Sequence, residues 1–71
     1  MRAIQRLKQS GLTRAQIAKA IGCTRHAVRF WETGERSPSH KYRERLIELA
    51  LERGLLLLAS DFSKQNDESQ G

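Results

Sequence analysis

The spacing of apolar residues predicts four amphipathic helices in the first 53 residues of this 71-residue chain. Apolar residues recur there at intervals of three and four positions, which places them on one face of an α-helix. The first helix is predicted over roughly 2–9, the second after Thr13, the third over about 25–33 and the fourth over about 40–53. Gly11, Gly22, Gly34 and Gly54 follow these helices, as glycine commonly does at helix ends.

The second helix has a strongly specified start. Thr13 is a good N-cap and Gln16 stands three residues later, the pairing of a capping box. Leu12 and Ile17 occupy the two positions of a hydrophobic staple around the same cap. Thr24 is placed to cap the third helix with its hydroxyl.

Four positions predict that the second and third helices cross closely. Ala18 is small where the next helix must pass, and Gly22 allows the positive φ that a tight turn requires. Val28 and Trp31 lie one turn apart on the inner face of the third helix. Two helices joined by a short turn with a glycine form a helix-turn-helix unit, here over 13–34.

Three stretches of the chain, with their continuation, carry a family resemblance. They are 11–18, 21–24 and 28–34, followed by Arg36, Pro38 and Ser39. In these residues the sequence resembles the Cro and lambda-repressor-like (XRE) DNA-binding domains over about 4–53, although the family usually has glutamine where Arg14 stands. The resemblance implies an all-α, lambda-repressor-like helix-turn-helix bundle of four to five short helices.

The leucines after Gly54 leave two structures open. Leu55, Leu56, Leu57 and Leu58, followed by Ala59, fit either a short fifth helix or a short buried strand, because periodicity does not separate these. Four leucines are hard to bury within one copy of so small a protein, so we expect them to form a dimer interface. We place the DNA-binding domain at 1–59 and a mostly disordered polar tail at 60–71.

Length and composition exclude several classes of protein. A chain of 71 residues makes one domain, near the lower limit for a self-supporting core. Its single cysteine allows no internal disulfide. No apolar run approaches the length of a membrane span or of a signal-peptide core, so we expect a cytoplasmic protein without membrane contact.

Positive charge is concentrated in the half that holds the helix-turn-helix. The net charge is +5 overall, but it is +8 over 1–45 and −3 over 46–71. A polyanionic partner such as DNA requires such a distribution. The alternative is a basic surface that only keeps the protein soluble.

Docked as the family docks, the third helix is a recognition helix that enters the major groove and meets base edges. Its expected base contacts are Arg25, His26, Arg29 and Phe30. Arginine pairs bidentately with guanine, and an aromatic ring contacts the thymine methyl group. In each case a simpler role stays open: Arg25 on a phosphate, Arg29 on a phosphate or in solvent, His26 in solvent, and Phe30 folded against a neighbouring helix.

Phosphate contacts are expected where helix N-termini and flanking donors meet the DNA backbone. The expected residues are Thr13, Arg14, Thr24, Thr33, Arg36, Ser39, His40 and Lys41. Each basic member of the set could instead be an ordinary solvated side chain. We interpret Glu32 as structural, within reach of Arg6 or Lys8.

Catalysis and metal binding find no support. Cys23, His26 and His40 have no recognised metal spacing, and Cys23 is interpreted as a packing residue. We therefore expect no enzyme activity, cofactor, metal or small-molecule ligand. The predicted function is that of a phage or prophage Cro-like repressor, a homodimer on a pseudo-palindromic operator. The alternatives are an antitoxin that holds a toxin through its C-terminal leucines, and a protein-interaction module without DNA binding.

Overall fold

The computed structural model describes residues 1–62, and these form an all-α bundle. Its helices are α1 (Arg2–Gln9), α2 (Arg14–Ile21), α3 (Arg25–Thr33) and α4 (His40–Glu52), followed by a 3₁₀ helix, Ala59–Phe62. Residues 1–62 contain no strand. The predicted fold class is thus confirmed.

The caps predicted for α2 and α3 are present. The Thr13 hydroxyl accepts a hydrogen bond from the Gln16 amide at 3.1 Å, and the Gln16 side chain accepts one from the Thr13 amide at 2.9 Å. The Thr24 hydroxyl accepts from the Ala27 amide at 3.1 Å. Gly22 ends α2 at φ +84°, in the left-handed region that a side chain would strain. The geometry of the helix-turn-helix is therefore specified locally.

One buried cluster joins all four helices. α3 packs against both α1 and α2, and α2 packs against α4. The Trp31 ring lies 5.6 Å from the ring of Tyr42, which connects α3 to α4. The buried members on the four helices are Ala3, Ile4, Leu7, Ile17, Ala18, Ile21, Val28, Trp31, Leu46 and Ala50. The core thus fixes α3 by a single face.

Two arginines of α4 and the loop after it complete the ends of other helices. Arg45 Nη1 donates to the Ile21 carbonyl in the last turn of α2 at 2.9 Å. Arg53 donates to the Ser10 hydroxyl at 2.9 Å and to the Ser10 carbonyl at 2.7 Å, just after α1. Carbonyls at a helix C-terminus have no partner within the helix, so these bonds satisfy groups that would otherwise need water. Ser39 precedes α4 as expected, but its side chain makes no capping hydrogen bond.

The leucine segment is neither the fifth helix nor the strand that the sequence left open. Residues 55–58 are irregular, and the 3₁₀ helix begins only at Ala59. Leu57 is buried in the core, whereas Leu56 and Leu58 are 61% and 54% exposed. Leu57 therefore faces the core, whereas Leu56 and Leu58 on either side of it face solvent.

A buried carboxylate explains the irregular backbone. Asp61 is only 4% exposed, and its Oδ2 accepts from Arg6 Nη1 at 2.9 Å and from the Leu58 amide at 2.8 Å. Arg6 Nη1 also donates to the Leu56 carbonyl at 2.7 Å. Side chains thus satisfy backbone groups that a helix or strand would have paired.

The packed chain extends to Phe62, beyond the domain boundary expected at residue 59. Phe62 is buried, and the Arg43 guanidinium lies 5.1 Å from the centre of its ring. Two of the first three residues of the expected tail at 60–71, Asp61 and Phe62, are therefore buried. Its remainder, 63–71, lies outside the described residues.

Candidate nucleic-acid interface

The outer face of α3 carries the side chains that the sequence predicts as base contacts. Val28 and Trp31 turn inward, so the opposite face of the helix points to solvent. Arg25, His26 and Arg29 are exposed there, and Phe30 is half-buried. Three of the four predicted base contacts are therefore accessible.

A basic groove runs between the start of α2 and α3. It is lined by Lys8, Leu12, Thr13, Arg14, Ala15, Arg25, His26 and Arg29, and we call it the α2–α3 groove. Four of these side chains are lysine or arginine, and a cleft lined by one sign of charge concentrates the electrostatic potential. The groove brings two predicted phosphate contacts, Thr13 and Arg14, beside three predicted base contacts.

A second groove lies on the other side of α3. It is lined by Thr24, His26, Ala27, Phe30, Trp31, Arg36, Ser37, Ser39 and Tyr42, and we call it the α3–α4 groove. It brings together three more predicted phosphate contacts, Thr24, Arg36 and Ser39. His26 lines both grooves. The exposed ridge of α3, formed by Arg25, His26 and Arg29, thus lies between two grooves that are lined by hydrogen-bond donors.

Three predicted phosphate contacts lie outside both grooves. The Thr33 hydroxyl is hydrogen-bonded to the Phe30 carbonyl at 3.2 Å and to the Glu35 carboxylate at 3.1 Å. His40 and Lys41 are exposed at the start of α4. His40 Nε2 lies 3.2 Å from the Glu44 carboxylate one turn along the same helix.

Phe30 is paired with an arginine. The Arg36 guanidinium lies 5.2 Å from the centre of the Phe30 ring, within the range of a cation–π interaction. The Arg36 amide also donates to the Phe30 carbonyl at 3.2 Å. The loop after α3 therefore covers the ring with a cation.

Glu32 connects the α2–α3 groove to the core. Its Oε2 accepts from Lys8 Nζ at 2.8 Å, and its Oε1 accepts from Arg14 Nε at 2.6 Å. The hydrogen bond from Arg14, and then that from Lys8, lowers the pKa of Glu32 below its ordinary value. The structural role expected for Glu32 and its contact with Lys8 are present, whereas Arg6 binds Asp61 instead. Sequence reasoning missed the Arg14 contact, because 18 positions separate the partners and no helical spacing relates them.

Cys23 is the one free thiol of residues 1–62. Burial raises the pKa of the Cys23 thiol, which disfavours the reactive thiolate. Within these residues no group of three His, Cys, Asp or Glu side chains could hold a metal ion. None of the helices described is both long enough and apolar enough to cross a bilayer.

One comparison with known proteins gave a match. The model of a family described as helix-turn-helix matches residues 4–50. The match contains α2 and α3 completely and most of α1 and α4. No curated protein and no solved structure matched the chain.

Glu32 should make the stability of the domain depend on pH. Because folding lowers its pKa, its ion pairs stabilise the fold fully above the ordinary glutamate pKa of 4.5, and this stability is lost as pH falls through the lowered pKa. Glu32→Gln should therefore reduce the free energy of unfolding by roughly 1 kcal/mol near pH 7 and by much less near the acid end. Urea unfolding at several pH values measures this.

Glu35→Gln is the matched control for that measurement. Glu35 forms no ion pair among the described residues, so its replacement should leave stability near pH 7 unchanged. An equal loss in both variants, or a loss for Glu32→Gln that does not shrink in acid, would contradict the assignment.

Proposed function

Since the chain belongs to the helix-turn-helix family of DNA-binding regulators, we propose that it is a homodimeric, Cro-like repressor that acts on a pseudo-palindromic operator. The observation that carries this proposal is the exposed ridge of α3, with Arg25, His26 and Arg29 between two donor-lined grooves. Its cytoplasmic location and phage or prophage origin are parts of the same proposal.

In the proposed complex α3 lies in the major groove, which is wide enough for one helix. The N-terminal part of such a helix meets base edges. Arg25 then reads guanine, and His26, Arg29 and Phe30 complete the base contacts. Phe30 would approach a thymine methyl group together with Arg36, because the two side chains are stacked.

The two grooves beside α3 suggest how the proposed phosphate contacts divide. Thr13 and Arg14 at the start of α2 would bind one DNA backbone through the α2–α3 groove. The opposite backbone would be bound by the turn, the loop after α3 and the start of α4. That second set comprises Thr24, Thr33, Arg36, Ser39, His40 and Lys41.

Dimerisation is proposed through the exposed leucines near the C-terminal end of the described chain. A single copy offers one short recognition helix, whereas a two-fold dimer presents two, to half-sites about 34 Å apart. Of Leu55, Leu56, Leu57 and Leu58, only Leu56 and Leu58 are largely exposed, and Leu51 is 56% exposed nearby in sequence. We therefore centre the proposed interface on Leu56 and Leu58 and add Leu51. Large apolar side chains left in water are typical of a surface that a partner covers.

DNA binding itself should show steep salt dependence. Titration of the wild-type protein against random-sequence duplex DNA at low and moderate salt measures it. Neutralising several phosphates releases counterions, so affinity should fall by roughly 10³-fold or more between about 50 and 200 mM salt. An affinity that does not change with salt would contradict the proposal and favour a protein-interaction module.

Arg25 should determine one base pair in each half-site. Arg25→Ala should cost about 1–3 kcal/mol on the preferred site and relax the preference at that position. Lys41→Ala is the control, since it removes an exposed cation at the start of α4 without disturbing the Arg36–Phe30 stack. It should weaken binding to all sequences alike. Selection of bound duplexes from random DNA compares the variants, and a uniform loss in both would show that Arg25 contacts only phosphate.

The exposed leucines should determine oligomeric state. Joint replacement Leu56→Glu and Leu58→Glu should turn a dimer into a monomer in sedimentation equilibrium, because burying two carboxylates at an interface is strongly unfavourable. Ala20→Glu adds one such charge at an exposed position of α2, away from the leucines, and should leave the dimer intact. A dimer that survives the leucine replacements would place the interface elsewhere. A monomeric wild-type protein that copurifies with an unlike protein would favour the antitoxin alternative.

A further inference from the structure

The carboxylate of Glu32 lies next to the basic α2–α3 groove, where its negative charge would repel a DNA phosphate. Glu32 binds two of the cations that line this groove, Lys8 and Arg14. The exposed fraction of its side chain is 17%, against 34% for Lys8 and 46% for Arg14. The Glu32 carboxylate is therefore less exposed than either of the two cations that it binds.

We propose that Glu32 is a positioning residue for DNA binding, which holds Arg14 and Lys8 in place at the groove before a DNA phosphate arrives. This inference rests on the proposed function. Glu32 touches no DNA in this arrangement and acts only through the two cations.

The geometry leaves both cations able to bind a phosphate. Arg14 uses its Nε–H on Glu32, and a guanidinium carries four further N–H donors. Because the guanidinium is planar, a bond at Nε also restricts the direction of those remaining donors. Lys8 uses one of the three protons of its ammonium group on Glu32 Oε2. One carboxylate therefore orients two donor groups without exhausting either.

Two opposite effects decide what Glu32 does to DNA affinity. Its negative charge repels phosphates, so electrostatics alone predicts tighter binding once the charge is removed. Its hydrogen bonds order two long side chains, which spares part of the ordering cost of binding. The two cations paired with the carboxylate offset its charge and weaken the first effect, and its two short hydrogen bonds strengthen the second. We therefore expect a loss of affinity on removal of Glu32.

The dissociation constant of Glu32→Gln for duplex DNA tests this expectation, because the two effects predict changes in opposite directions. The variant should bind about two- to tenfold more weakly than the wild type. The control Glu35→Gln removes a carboxylate from the loop after α3 that orders no cation among the described residues. It should bind equally well or somewhat more tightly. Circular dichroism at the assay temperature confirms that each variant is folded.

A double-mutant cycle separates positioning from general stability. Arg14 is half-exposed, so Arg14→Gln should fold normally and lose affinity by itself. In the Arg14→Gln background, Glu32→Gln should lose at least half of its effect, because one of the cations that it positions is gone. A Glu32→Gln variant that binds more tightly, or with the same penalty in both backgrounds, would overturn the inference.

The wild-type protein gives a second test that needs no variant. In the free protein the Arg14 Nε–H should be rigid and slow to exchange with solvent in NMR spectra near neutral pH, because Glu32 accepts it. A mobile, rapidly exchanging Nε–H would overturn the inference. A wild-type protein that binds no duplex at all would instead overturn the proposed function, and with it the role of Glu32 on DNA.

Discussion

The burial of Val28 and Trp31 determines which side chains of α3 can meet a partner. These two residues are at most 5% exposed, on a helix that packs against both α1 and α2. Full burial of one large apolar side chain contributes roughly 1.5–3 kcal/mol, a large share of the stability of so small a domain. Rotation of α3 about its axis would expose them, so the outward direction of Arg25 and Arg29 follows from the core.

Some basic residues of this chain stabilise the fold and others line the exposed surface, and the net charge does not distinguish the two groups. Arg45 and Arg53 complete the ends of α2 and α1, and Arg6 holds the segment that follows Gly54. Arg43 lies over the Phe62 ring. Arg6, Arg43 and Arg45 belong to the first 45 residues and contact the protein itself, so the +8 charge of that stretch overstates the positive charge that is free to face a partner. The four lysine and arginine side chains that line the α2–α3 groove are a better measure of the positive charge available to a partner.

The sequence predicts features whose partners lie three or four positions apart. The Thr13 capping box, the Thr24 cap, the turn at Gly22 and all four helices belong to this class, because local backbone geometry brings such residues together. The pairs Arg6–Asp61 and Arg14–Glu32 join residues 55 and 18 positions apart and depend on tertiary packing. For the same reason periodicity could not describe 55–58, where the Asp61 carboxylate takes the place of a regular hydrogen-bond partner.

Tertiary packing also joins side chains for which the sequence predicts separate roles. Arg36 is proposed for a phosphate and Phe30 for a base, yet the two are stacked at 5.2 Å. If Arg36 moves to a phosphate, the Phe30 ring loses its cover, so the base contact and the backbone contact are energetically coupled. Arg14 and Glu32 are linked in the same way at the α2–α3 groove. In the proposed complex, base preference would therefore depend on how the flanking cations are held, as well as on the four side chains of α3.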